Sequence, residues 1–204
     1  MHALIVTAHP RPESLTHAVA ARLAEGVAAS GHTAEIANLA AEGFDPRFNA
    51  NDIAVHLRQA PPAADVLAEQ ARLDRADALV LVYPVYWWSM PGLLKGWIDR
   101  VFTNGWAYDE DAEGRLAKKL QRLAVHLVAI GGADMRTYAR HGYFGAMKTQ
   151  IDHGIFGYCG ARVMTSELLL PSADGDAARH LETARGLGTG IFAVHPRCGI
   201  ADAA

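Results

Sequence analysis

The chain has 204 residues, half of them apolar, which suffices for one full hydrophobic core and leaves little for a second, so residues 1–204 are read as a single domain. A net charge of −3 with no block of Lys or Arg gives no electrostatic footprint for nucleic acid or an anionic membrane surface. No apolar run has the length of an integral membrane segment, and Met1 leads into a strand pattern without a signal peptide's regions, so a cytoplasmic location is expected. Cys159 and Cys198 are the only cysteines in a chain large enough to fold without staples, and both are expected to be reduced, Cys159 buried and inert.

Apolar patterning then gives the elements in order. Ala3 to Ala8 reads as a first strand, and Ser14 to Ser30 as an amphipathic helix with Val19, Leu23 and Val27 inward, ended by Gly31. Thr33 to Asn38 is a second strand. Leu39 to Pro62, with FDPRFNANDI at its centre, is a long irregular stretch of the kind that is functional or covers a neighbour. A helix from Ala63 to Arg75 precedes a third strand from Ala78 to Tyr83, whose continuous Val and Leu suit a strand buried on both faces. In the next helix, Pro91 to Phe102, Ser89 is a candidate cap and Leu93, Leu94, Trp97, Ile98 and Val101 fall at helical spacing. Strands from Arg122 to Ile130 and from Arg162 to Leu170, and a last helix from about Asp174, complete the chain. Five strands joined by right-handed crossover helices predict a flavodoxin-like, doubly wound parallel sheet, order 2-1-3-4-5, with helices on both faces.

In such sheets ligands bind at the carboxyl edge, where strand order reverses. Three loops are expected to meet there. TAHPRPESLT, Thr7 to Thr16, offers helix N-terminal amides to an anion, although Ser14 also reads as an ordinary N-cap and His9 as solvated surface. It has neither the G-x-G-x-x-G nor the P-loop spacing. PVYWWS, Pro84 to Ser89, carries Tyr86, Trp87 and Trp88 in succession. Successive side chains point opposite ways, so one packing face cannot take all three and at least one is expected to line a cavity. IGGADMRTYARHG, Ile130 to Gly142, lets Gly131 and Gly132 approach a planar ligand, or serve a tight turn. The histidines lack metal-site spacing, so no metal is expected, and Ser89 and Ser166 lack a hydrolase elbow.

LIVTAHPRPESLTHA, DVLAEQARLDRADALVLVYPVYWWSMPGLLKGWIDRVF, and the later GG with Tyr138, His141 and FGYCG together resemble the flavodoxin-like NAD(P)H quinone acceptor oxidoreductases. That family also includes modulators of drug activity and ancillary subunits of potassium efflux systems. The resemblance implies a flavin, FAD with FMN as the alternative, held by His9, Ser14, Leu15, Thr16 and Ala18 of the first loop. Pro84, Val85, Tyr86, Trp87 and Trp88 would lie along its isoalloxazine, with Gly131, Gly132 and Tyr138 beside the ring. Arg179 falls where relatives place an arginine against the adenine portion of FAD, and otherwise reads as a surface arginine. Trp87, Trp88, Tyr108, Met135 and His141 would line the substrate pocket.

The resemblance further implies hydride transfer from NADPH or NADH through the flavin to a quinone or similar planar acceptor, in alternating half-reactions. Fixed donors aimed at the ring lower that barrier, and a Tyr or His protonates the acceptor oxygen. Tyr138 and His141 are the catalytic candidates. The segment before His141 is shorter than in mammalian relatives, which leaves Tyr143 as a substitute for Tyr138. Tyr108 matches an aromatic that reaches the neighbouring subunit in a homodimer whose active site lies at the interface, while Glu110 stands where a second tyrosine is expected. The alternative function is a flavin-binding regulatory ancillary subunit of a potassium efflux system, and a weaker one is a single-electron carrier.

Overall fold

The computed structural model of the chain describes residues 1–110, 113–171 and 177–193. Five parallel strands, β1 (His2–Thr7), β2 (Thr33–Asn38), β3 (Ala78–Pro84), β6 (Ala124–Ile130) and β7 (Arg162–Leu169), form one sheet in the order β2-β1-β3-β6-β7. Counting these strands alone, this is the predicted 2-1-3-4-5. A separate antiparallel hairpin, β4 (Tyr108–Glu110) and β5 (Leu116–Lys118), sits outside it and was not anticipated. The helices are α1 (Leu15–Ala29), α2 (Ala50–His56), α3 (Ala64–Arg75), α4 (Gly92–Val101), α5 (Met135–His141), α6 (Tyr143–Met147) and α7 (Ala177–Gly190), with a π-helical segment over Lys148–Gly157. The expected helix start at Asp174, and Cys198, lie outside the described residues.

All seven residues of β3 are buried, and they divide by parity. Leu79, Leu81 and Tyr83 join a core with Leu73, Leu94, Trp97, Ile151 and Phe156, while Ala78, Val80 and Val82 join one with Val19, Leu23, Val27 and Ala184. A strand with both faces covered needs no polar alternation, which is why its sequence reads as one apolar run. On the second face α1 and α7 approach backbone to backbone. A Cβ on Gly26 would stand 2.2 Å from the Arg185 carbonyl oxygen, and one on Gly188 2.2 Å from that of Leu23.

The stretch from Leu39 to Pro62 covers α4, passing so close that a Cβ on Gly96 would meet the Pro46 carbonyl oxygen at 2.3 Å. It is not wholly irregular, because α2 forms within it. Asn49 caps α2, accepting from the Asp52 amide, and the Asp52 carboxylate in turn accepts from the Asn49 amide, a reciprocal capping box. Cys159 is buried, and burial pushes its thiol up to about 11, so it stays protonated at neutral pH.

Candidate functional site

Strand register brings the ends of four strands to one edge: Thr7 pairs with Val82, Pro84 with Ile130, and Ile130 with Leu169. The loops that follow these residues therefore converge. The topology also starts α1 and α7 at this edge, since each follows a strand that ends there, α1 crossing over to β2 and α7 closing the chain.

The second loop is a tight turn. The Tyr86 amide donates to the Ser89 carbonyl at 3.0 Å and the Ser89 amide to that of Tyr86 at 3.1 Å. Trp87 and Trp88 between them take φ of 51° and 59°, left-handed conformations that cost bulky residues roughly 1–3 kcal/mol each. Among the described residues neither the Trp87 nor the Trp88 amide has an intramolecular acceptor. Trp87 is 94% exposed. Ser89 does not cap α4, as the sequence had suggested; Pro91 takes the cap position without a side-chain bond, and the Ser89 hydroxyl donates instead to Gln150 Oε1 at 2.8 Å.

Val85, Trp87, Trp88, Gly132, Ala133 and Tyr138 enclose a cavity of about 200 Å³. The two glycines beside it differ. A Cβ on Gly131 would lie 2.6 Å from the Tyr138 hydroxyl and 2.6 Å from Leu170 Cδ2, whereas one on Gly132 would meet nothing within 4 Å. Gly131 thus makes room for the phenol, and Gly132 leaves room for something outside the protein. Burial raises the Tyr138 phenol above its ordinary value, so it remains a donor at neutral pH. The aromatic walls and unengaged amides fit a planar heterocycle with polar atoms on one edge. Two of the three adjacent aromatics, Trp87 and Trp88, do line a cavity, but through a tight left-handed turn and not through the alternation of an extended segment.

A stack flanks this cavity. Tyr143 lies 3.7 Å from Trp88, centroid to centroid, with planes 12° apart, and His141 lies 5.2 Å from Tyr143 at 26°. Tyr138 meets Trp88 edge to face at 5.2 Å. Gly142, at φ 70°, ends α5 and sets α6 off, which lets His141 and Tyr143 face one another. His141 is exposed on the outer side of Tyr143 and does not line the cavity. Neither the Tyr143 stack nor the Gln150 contact was visible in the sequence.

In the first loop Ser14 caps α1, accepting from the His17 amide at 3.4 Å, and His9 Nδ1 accepts from the Arg11 amide at 3.1 Å. The first turn of α1 has no acidic residue, which suits an anion. Thr16 is buried, Leu15 packs against the α1 face of the core, and Ala18 is exposed. Arg179 and Met135 line a second cavity of about 250 Å³ with Leu168, Leu170 and His180, placing Met135 away from Trp87. Gly131 and Leu170 stand between the two cavities. Tyr108 lines a third, of about 550 Å³, with Phe48, Phe102 and Tyr158; its hydroxyl and His56 Nδ1 are 3.0 Å apart. Within one chain Tyr108 is therefore not brought to the cavity of Trp87 and Tyr138. Among the described residues no group of three His, Cys, Asp or Glu could hold a metal ion, and no helix is long and apolar enough to cross a membrane.

Comparison with known proteins agrees with the fold. The signature of a family described as having a flavodoxin-like fold matches residues 1–186. The chain is 30% identical over 185 residues to a ribosyldihydronicotinamide dehydrogenase (quinone) of Pongo abelii, covering 81% of this chain and 79% of that one. It is 28% identical to NAD(P)H dehydrogenase (quinone) 1 of Cavia porcellus, over 81% of this chain and 67% of the relative. Among solved structures, an NAD(P)H:quinone oxidoreductase from Methanothermobacter marburgensis superposes with a TM-score of 0.86 at 27% identity, over 96% of this chain and 99% of that one.

Proposed function

The chain belongs to the flavodoxin-like family of NAD(P)H quinone oxidoreductases, and from that premise we propose that it passes a hydride from NADPH or NADH, through one bound flavin, to a quinone or similar planar acceptor. The observation that carries the proposal is the 200 Å³ cavity where the aromatic turn, with its unengaged Trp87 and Trp88 amides, meets Gly132 and Tyr138. The flavin, when bound, supplies the carrier that takes the hydride in one half-reaction and releases it in the other. Trp87 and Trp88 wall the pocket and present their amides to the ring's polar edge. The Tyr138 hydroxyl, beside Gly131, donates to that edge where negative charge develops. Hydride and proton together make the hydroquinone; His141, the second catalytic candidate, stands outside this cavity beyond Tyr143 and would have to give its proton to the acceptor oxygen at the outer rim. Pro84, Val85 and Tyr86 support the ring. His9, Ser14, Leu15, Thr16 and Ala18 hold the ribityl and phosphate portion at the start of α1.

Arg179 and the cavity it lines favour FAD, its adenine end lying beyond Gly131 and Leu170; FMN would leave that cavity unused. Tyr108 supports a homodimer in which it reaches the partner's pocket, since within its own chain it serves a different groove; Met135, which lines the Arg179 cavity, takes no part in that pocket within one chain. The whole chain would then act as one flavin-binding domain in the cytoplasm.

The test is an anaerobic visible spectrum of protein supplied with flavin, followed through addition of NADPH and then a quinone. A bound flavin band that bleaches and then returns establishes both half-reactions. A bound flavin that NADPH fails to bleach favours the regulatory subunit, and the exposed apolar Phe48, Ile53 and Leu57 would then be its docking face.

A further inference from the structure

The turn that presents Trp87 and Trp88 is strained, and something must hold it. Its own two backbone bonds close the turn, but they do not fix the direction of the Trp88 indole. Contacts from outside hold the turn: besides Tyr138, which meets the Trp88 indole edge to face, two come from one continuous element. Tyr143 lies against Trp88 at 3.7 Å and 12°, and Gln150 accepts the Ser89 hydroxyl at 2.8 Å. Both come from the continuous run of α6 and the π-helical segment, Tyr143 to Gly157. Wide π-helical winding is rare and concentrates at functional sites, where it re-aims side chains. Here it begins two residues before Gln150.

The stacking also defines what Tyr143 does. His141 covers Tyr143 without any ring contact to Trp88 among the described residues, so the imidazole and the indole take opposite faces of the phenol. Tyr143 does not line the cavity, and Tyr138 does. Its contacts run through its ring rather than its hydroxyl. We propose that Tyr143 and Gln150 are positioning residues that together clamp the strained Tyr86–Ser89 turn, the first by stacking on Trp88 and the second by binding Ser89. The proposal rests on the flavin reading above and adds to it the residues that preorganise the ring-binding turn.

An aromatic pair and a single hydrogen bond each correspond to about a threefold to tenfold change in equilibrium. The experiment compares the native protein with Tyr143→Leu, Tyr143→Phe and Gln150→Ala, measuring FMN and FAD dissociation constants by fluorescence quenching and the position of the bound-flavin absorption band. Near-ultraviolet circular dichroism of the flavin-free proteins reports the Trp88 environment independently. Tyr143→Leu is expected to weaken flavin binding about fivefold, shift the band and change the dichroism. Tyr143→Phe, which keeps the ring, is expected to retain all three. Gln150→Ala is expected to weaken binding about threefold; Gln150 is exposed, so this variant is readable even where the Leu variant folds poorly. Native binding in both Tyr143→Leu and Gln150→Ala would overturn the clamp, and so would losses in Tyr143→Phe equal to those in Tyr143→Leu, because the hydroxyl would then be the working group. Failure of the native protein to bind flavin would instead remove the functional reading itself.

Discussion

The segment of residues 39–63 and the turn of residues 86–89 both leave a parallel strand at its carboxyl end, yet they are secured in opposite ways. In the first, polar groups are matched. Arg100, 4% exposed, donates through Nε to Asp52 at 3.0 Å and through Nη1 to the Asp45 carbonyl at 2.8 Å and to Asp65 at 2.6 Å. The same Asp52 carboxylate accepts the Asn49 amide, so one buried carboxylate ties the α2 cap to α4. The turn closes its ends but leaves two amides without acceptors among the described residues, two bulky residues at positive φ, and Trp87 in the open. Arg58, at φ 59°, is also strained, but it lies outside the Arg100 network, whose buried polar groups are answered within the chain and serve stability; strain beside unanswered donors, as in the turn, points outward, to a ligand.

The largest test of this contrast is Arg100→Met. It strands the buried Asp52 carboxylate, and removal of one partner of a buried pair costs about 3–5 kcal/mol. Urea unfolding should show that loss, while the flavin affinity of the folded variant stays within about twofold of native. A large loss of affinity at unchanged stability would erase the distinction between the two segments.

Next in size is a pair of adjacent substitutions with opposite outcomes. Gly131→Ala drives a methyl into the Tyr138 hydroxyl and Leu170, and overpacking of this kind costs about 1–3 kcal/mol. Gly132→Ala meets no protein atom within 4 Å, so its thermal midpoint should stay near native while flavin binding falls about tenfold. Equal thermal shifts in the two variants would show that Gly132 does not face a ligand.

Trp87→Asn should separate the two properties within one residue. Asn tolerates the left-handed region, so about 1 kcal/mol of strain is relieved and the midpoint rises by about 2–4 °C. Flavin binding and quinone reduction should weaken together, by about tenfold. A lowered midpoint would mean that the indole is needed by the chain and not by the ligand.

The same contrast explains what was legible in the sequence. The parallel sheet and β3 followed from apolar runs and alternating elements, which depend on burial, and the strand order from the flavodoxin-like fold those elements resemble. That YWW would line a cavity was expected from side-chain alternation, but the structure achieves it with a left-handed turn that alternation does not describe. The α2 helix was missed although Asn49 and Asp52 carry the spacing of a capping box, because Pro61, Pro62 and polar neighbours made the region read as loop. The role of Ser89 was misread because a cap pattern precedes α4, while its real partner lies 61 residues away. The Trp88–Tyr143 stack had no local signature at all, since it depends on a left-handed Gly142 and on a residue 55 positions away along the chain, while Gln150, which binds Ser89, is placed by the π-helical segment. Met135 and Tyr108 likewise carried no local sign of which cavity each would line.

The smallest effect expected is the pH response of the matched segment. The Asp65 carboxyl lies below its usual range chiefly because Arg100 donates to it, with partial burial opposing. A depressed folded value means that the folded chain holds fewer protons than the unfolded chain as acid is added, so the contribution is complete above about pH 5 and is lost as pH falls through the ordinary carboxyl range and below it. Asp65 is about half exposed, and solvent screening keeps the contribution under about 1 kcal/mol. Stability against urea at pH 7 and at pH 3 should therefore fall less in Asp65→Asn than in the native protein, by that amount. The turn lacks such a carboxylate pair, so the variant's flavin affinity at neutral pH should match native; a change there would show that the Arg100 network reaches the site after all.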